Sequence, residues 1–399
     1  MLVLTRKNGE SVRIADNIEV VVLEVKHGKV RLGFRCPDDV SILRKEVYDR
    51  DAADEPLSLM DFAALVEAYR HATGNSAGRA NMSALFLTED HVRDLLDMPM
   101  AIEVIEELFR ELSNGRAKNL PRQRVQAGKM LLHTMSAACE YLGIGGWKAY
   151  STTRAKSRFH VGLYDLATGE MLAIIEADFL GQLRTGAASG VATEFLARPD
   201  AKVVGLFGAG LQAATQLKAV CSVRKISRVE VYCRDAARRE AFAAQMSEYC
   251  ATEVVPGHAP DEVAADKDIV ITATTSKTPV FDGRALDEGT HLNVIGSNFL
   301  AKAEVDVTAI RRADTLICDS VEQCRLEAGD FIPAIEAGVT DWSLMHELAE
   351  IVSGRKTGRA LPENITLFKS VGLAVEDVAL GAKLLQLARN HRLGTPLPF

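Results

Sequence analysis

The stretch 202–220, KVVGLFGAGLQAATQLKAV, constrains this 399-residue chain more than any other. It runs from a continuous apolar segment through closely spaced glycines into an apolar-periodic segment, which predicts a buried strand, a tight turn and a helix. The spacing is G-x-G-x-x-A: Gly208 and Gly210 permit the turn and a close approach, and Ala213 stands where a third glycine is common. A pyrophosphate placed there would lie at the positive end of the following helix. Gln212 belongs to the same turn. Downstream, RVEVYCRD, DIVITATTS, THLNVIGS and DTLICDS recur as short apolar runs, most of them separated by helical segments. That alternation predicts an α/β domain, doubly wound, with a parallel sheet covered on both faces.

The end of the second strand sets cofactor preference. An acid there accepts ribose hydroxyls in NAD sites. Here Cys233 stands at that point, followed by Arg234, Arg238 and Arg239. A guanidinium binds a 2′-phosphate bidentately and stacks on adenine, so NADP is the expected cofactor. NAD remains the alternative if Asp235 takes the acid's part and the arginines are only a solvated helix start.

Upstream, TEDHVRDLL and MAIEVIEELFRELSNG predict two helices, the first capped by Thr88 and the second ended by Gly115. RTGAASGVATEFLA reads as a helix rich in small residues. Residues 1–50 read differently, as strands Leu2–Thr5, Ser11–Ile14, Ile18–Val25, Lys29–Phe34 and Val40–Leu43, with a short helix from Arg44. So small an all-β module buries little and needs a partner copy. Residues 51–82 read as a linker carrying one amphipathic helix, Leu57–His71. The net charge of −7 excludes a generally basic nucleic-acid coat, leaving room for a local basic edge. No apolar run reaches bilayer length, no signal peptide opens the chain, and seven scattered cysteines show neither CxxC nor metal spacing. A cytoplasmic protein that contacts no membrane and holds no metal is expected.

Taken together, LRTGAASGVATEFLARPDAKVVGLFGAGLQA, TATTSKTPV, HLNVIGSN and FKSVGLAVEDVA resemble the ornithine cyclodeaminase/mu-crystallin family, over about residues 84–399. The resemblance implies a Rossmann domain (197–365) and a mixed α+β substrate and dimerisation domain (83–196, completed by about 366–399). The pair forms a homodimer acting on small amino or imino acids. By the same matching, Lys148 in GGWKAY lies beside the substrate as proton donor or carboxylate anchor, and Arg122 in LPRQRV binds the carboxylate, with Arg124 a competitor. Arg184 and Thr185 touch cofactor phosphate and nicotinamide, Thr274 and Ser276 line the nucleotide edge, and Lys302, Ser370 and Gly372 lie near the nicotinamide.

Three positions depart from the family pattern. His133 replaces a second carboxylate-binding arginine, and His160 replaces a threonine near the cofactor. Asn298 replaces the acid that accepts a proton in cyclodeaminases. An amide takes no proton at neutral pH but still orients a ligand, which favours reduction of an imine already formed, such as pyrroline-2-carboxylate. Cyclodeamination and alanine dehydrogenation are the family's other outcomes.

Residues 1–50, MLVLTRKNGESVRI…VRLGFRCPDDVSILRKEVY, resemble the carbon storage regulator family of mRNA-binding translational regulators. That resemblance implies a dimer of interleaved strands gripping GGA-containing loops through Leu4, Thr5, Arg6, Lys7 and Arg44. The alternative whole-chain reading is an RNA regulator whose enzyme-like half only senses nucleotide or ligand.

Overall fold

The computed structural model describes residues 11–14, 18–26, 29–35, 83–153 and 156–398. The chain divides into two units, 1–81 and 82–399. In the first, strands Ser11–Ile14, Ile18–Lys26 and Lys29–Arg35 form an antiparallel sheet in chain order. Its register pairs Val12 with Val20 and Val20 with Phe34, and it shifts between Val22 and Glu24. The expected strands Leu2–Thr5 and Val40–Leu43, the helix from Arg44 and the helix Leu57–His71 lie outside the described residues.

The second unit holds two eight-stranded sheets. One is wholly parallel, in the order Glu253–Pro256, Arg228–Tyr232, Val203–Phe207, Ile269–Thr272, His291–Val294, Thr366–Lys369, Thr315–Cys318 and His346–Glu347. Both faces are covered. Val204, Leu206, Ile269 and Ile271 enter one core, while Phe207, Val270, Leu292 and Val294 enter another. Each such side chain, fully removed from water, contributes roughly 1.5–3 kcal/mol. The strand Thr366–Lys369, grouped by sequence with the other domain, lies inside this sheet. The chain therefore crosses back only at Ser370–Leu373, ahead of the helix Ala374–His391.

The other sheet runs Thr395–Pro396, Leu85–Leu87, Met171–Glu176, Ser157–Asp165, Ile144–Thr152, Met130–Cys139 and Ala117–Asn119, with Gln123–Ala127 hairpinned onto Met130–Cys139. It is antiparallel except where Leu85–Leu87 pairs with Met171–Glu176. The helix Ala374–His391 packs across its central strands. The first two helices are Glu89–Leu95 and Met98–Ser113; Asp97, whose carboxylate accepts from the Met100 amide, starts the second earlier than its apolar pattern suggests. The helix Asp178–Leu196 touches both sheets and packs on the helix Leu211–Val223, fixing Arg184 and Thr185 between them.

Candidate active site

The glycine turn follows the strand Val203–Phe207. Gly208 has φ +118°, and a Cβ there would run into the Ala273 carbonyl, so no other residue fits without strain. Gly210 precedes the thirteen-residue helix Leu211–Val223, whose first amides carry no side-chain cap. A Cβ at Gly210 would meet only the Arg238 guanidinium, at 3.7 Å. Ala213 is fully buried, where a larger side chain would separate helix from sheet, and the Gln212 Oε1 is buried without a protein partner. An uncapped helix start, an open glycine face and an orphaned acceptor fit a dinucleotide.

At the end of Arg228–Tyr232, the Asp235 carboxylate accepts from the Arg238 amide and caps the helix Ala236–Cys250. Arg238 Nε donates to the Ala209 carbonyl at 2.9 Å, which lays its guanidinium beside the glycine turn. Arg239 donates to the Cys233 carbonyl, the Cys233 thiol donates to the Asp235 carbonyl, and Arg234 is exposed.

A second cluster forms where the Ala374–His391 helix meets the mixed sheet. In Ile144–Thr152 alternate side chains face this helix, and Lys148 is one of them, with only 2% exposed. A lysine buried so deeply needs a partner. Its Nζ donates to Asp377 Oδ1 at 2.6 Å and lies 5.3 Å from the Phe159 ring centre. Burial, aided by Arg184, lowers the Lys148 ammonium to about 8, with Asp377 opposing. Arg184 donates to Glu376 Oε2 at 2.7 Å and lies 3.4 Å from Asp377 Oδ2. Burial disfavours its charge, yet Asp377 and Glu376 hold the guanidinium above its ordinary value. Burial raises Glu376 to about 7 against the pull of Arg184.

Arg122 completes the cluster from the opposite wall. It pairs with Glu327 and donates through Nη2 to the carbonyls of Val371 and Gly372, both at 3.1 Å. Arg124 lies 3.0 Å from the other Glu327 oxygen, donates to the Asn298 carbonyl at 2.8 Å and stacks over the Phe299 ring. Gly372 is the meeting point. Its φ is +81°, and a Cβ would come within 2.6 Å of Arg184 Nη1. Asp319 shapes this turn by accepting from the Ser370 hydroxyl and from the Val371 and Gly372 amides at 2.7–2.9 Å.

Arg122, Lys148, Arg184, Ser370 and Gly372 thus converge, while six other expected positions behave differently. His133 cannot act as a cation near neutral pH: burial, with Arg124 and Arg122 nearby, lowers its imidazole to about 4, and it stacks on Tyr150 at 4.0 Å. His160 pairs with Ala149 while Phe159 pairs with Tyr150, so it projects from the opposite sheet face to Lys148, into a shallow 290 Å³ groove with Glu89 and Glu176. Thr274 gives its amide and hydroxyl to Glu304 at 2.6 Å, and Ser276 donates to the Thr278 carbonyl. Thr185 is turned back to the Gly181 carbonyl, and Lys302 lies over Phe299. Leu4, Thr5, Arg6, Lys7 and Arg44 lie outside the described residues. Among the described residues no carboxylate–histidine–cysteine group could hold a metal, and no helix is long and apolar enough to cross a membrane.

Sequence reasoning missed the acids: Glu304, Asp319, Glu327, Glu376 and Asp377 are all buried. The adjacent pair Glu376-Asp377, in the first turn of a helix just after a glycine turn, is the available signal.

A parallel sheet carrying this turn, joined to a mixed sheet carrying buried cations and acids, defines a nicotinamide-dinucleotide oxidoreductase. Residues 82–388 match the ornithine cyclodeaminase/mu-crystallin family model, and residues 1–53 match that of the global regulator protein family. The chain is 33% identical over 325 residues to alanine dehydrogenase of Archaeoglobus fulgidus, covering 80% of this chain and 99% of that protein. It is 32% identical over 325 residues to Delta(1)-pyrroline-2-carboxylate reductase of Bacillus cereus, covering 79% and 100%. The structure of the Thermococcus litoralis Delta(1)-pyrroline-2-carboxylate reductase with NADH and L-proline superposes with a TM-score of 0.75 at 37% identity, over 78% of this chain and all of that one. The chain belongs to the ornithine cyclodeaminase/mu-crystallin family and carries a global-regulator module at its N-terminal end.

Proposed function

We propose that residues 82–399 reduce a small cyclic α-imino acid, with pyrroline-2-carboxylate the leading candidate, and that NADPH is the preferred donor. The observation that carries this reading is the buried Lys148–Asp377 pair beside Arg122 and Arg184. Gly208, Gly210 and Gly372 would help hold a nicotinamide dinucleotide, which would supply the hydride that the imine carbon receives. Arg122 keeps its Nε atom buried and unpaired, leaving a donor for the substrate carboxylate. Lys148, protonated below about pH 8, gives its proton to the imine nitrogen while Asp377 holds the ammonium in place. Asn298 offers no base to start cyclodeamination, and its main-chain oxygen anchors Arg124. Most of the rate enhancement then comes from positioning and fixed charge.

Two features favour NADPH: one Asp235 oxygen is committed to capping, and Arg238 lies beside the turn with Arg234 exposed nearby. A homodimer through the mixed sheet is in keeping with exposed Val125, Met130 and Leu132 on its edge hairpin. For residues 1–53 we read an mRNA-binding module that takes GGA-containing loops through Leu4, Thr5, Arg6, Lys7 and Arg44; the family match supports it. Gel shift with a GGA hairpin tests this, and R6A/K7A should lose the shifted band. NADPH oxidation by the purified chain, offered pyrroline-2-carboxylate, piperideine-2-carboxylate, or pyruvate with ammonium, tests the enzyme. Turnover is expected on a cyclic imine; turnover only on pyruvate with ammonium would make it an alanine dehydrogenase.

A further inference from the structure

The carboxylate of Glu327 lies between the two guanidiniums that face the proposed substrate. It pairs with Arg122 on one oxygen and with Arg124, at 3.0 Å, on the other. Gln323 Nε2 donates at 3.1 Å to the oxygen that Arg122 holds, so two donors fix that oxygen while Arg124 faces the other as an ion pair. The Glu327 side chain is 1% exposed, against 3% for Arg122 and 23% for Arg124. His133, cross-strand from Arg124, is buried and adds no charge near neutral pH.

Immediately around Glu327 the charges sum to one, two guanidiniums and one internal carboxylate beside a neutral imidazole, while the neighbouring Lys148 and Arg184 are paired with Asp377 and Glu376. With Glu327 and Arg122 this deeply buried, that sum selects the ligand's charge, because an uncompensated buried anion is strongly disfavoured. A single substrate carboxylate closes the balance. A second would find Arg124 already engaged, through Glu327, the Asn298 carbonyl and the Phe299 ring. We propose that Glu327 is the specificity-determining residue that restricts this site to monocarboxylates by occupying Arg124. This rests on the imine-reductase reading for its substrates, though not for its binding test. Glu327 is a positioning residue: it acts through the two arginines and takes no part in hydride or proton transfer.

Glu327→Gln tests this. The amide oxygen still accepts from one guanidinium, and the lost charge leaves Arg124 open to a second carboxylate. With the full-length chain, kcat/KM for iminosuccinate (from oxaloacetate and ammonium) relative to pyrroline-2-carboxylate should rise at least tenfold in the variant. Glu327→Asp, which keeps the charge, should restore the preference for the monocarboxylate. If both substrates lose equally, Glu327 is only a structural support and the proposal fails. Binding of two unreactive analogues to the wild-type chain, by calorimetry, reads selectivity without turnover or a mutation. Pyrrole-2-carboxylate should bind at least tenfold more tightly than pyrrole-2,5-dicarboxylate; equal affinities would overturn the proposal. A wild-type chain that binds selectively yet reduces no imine would refute the reductase reading and leave this inference standing.

Discussion

Replacing Asp377 with Asn is the sharpest perturbation of the site. Both partners of the Lys148–Asp377 pair are buried, and the contact is 2.6 Å. Two unit charges 4 Å apart interact by about 4 kcal/mol at an effective dielectric of 20. At 1.36 kcal/mol per pK unit that attraction corresponds to roughly three units on the lysine. The ammonium is already lowered to about 8 by burial and by Arg184. Removing Asp377 removes the main influence opposing both, so the value falls further. With protonated Lys148 as the proposed proton donor, kcat/KM declines as pH rises through the lysine's value. In D377N that falling limb should move to lower pH by at least one unit, leaving activity at pH 8 about fivefold down or more and partly restored near pH 6. Leaving a buried cation unpaired also costs about 3–5 kcal/mol of stability, read as a lower melting temperature. The assay is NADPH oxidation on pyrroline-2-carboxylate across pH 5.5–9.5, with cofactor binding measured on the same samples. An unmoved falling limb in a variant that still binds NADPH would refute the assignment of Lys148 as the donor.

Further outcomes follow from other named residues. Gly208→Ala forces a side chain onto φ +118° against the Ala273 carbonyl; such strain costs about 1–3 kcal/mol, and NADPH affinity by fluorescence titration should drop at least tenfold. Arg238→Ala should lower the NADPH-to-NADH ratio of kcat/KM at least tenfold, and an unchanged ratio would remove Arg238 from cofactor choice. Burial, with Arg359 adding to it, lowers His291 to about 3, and burial with Arg124 and Arg122 lowers His133 to about 4. Below about pH 6.5 the unfolded chain binds protons that these folded imidazoles refuse. Stability is therefore full above that pH and falls on acidification toward 3, and H291Q should flatten the melting-temperature slope between pH 7 and 5.

Much of the fold could be read from patterns that short-range physics controls. The strand–glycine–helix unit at 203–223 and the apolar strands after it are local signals, and each became an element of the parallel sheet. Lys148, Arg122 and Arg184 could be singled out because GGWKAY, LPRQRV and LRTGAAS match the family's motifs. Their partners were hidden because pairing is a property of the folded chain. Asp377 is 229 residues from Lys148, and Glu327 is 205 from Arg122. Insertion of Thr366–Lys369 between His291–Val294 and Thr315–Cys318 likewise depends on the return path of the chain and leaves no mark on the strand itself. His133 shows the same limit: its residue type suggested charge, while its neighbours decide that it stays neutral.

The central claim is that hydride reaches the carbon of an α-imino acid and a proton reaches its nitrogen. The most direct test uses NADPH deuterated at the transferring face of nicotinamide C4, with pyrroline-2-carboxylate and the full-length chain, and product analysis by mass spectrometry and proton NMR. Proline carrying one deuterium, located at Cα, is expected, with none formed by Lys148→Met. Unlabelled proline, or no proline from a chain that binds NADPH, would contradict it.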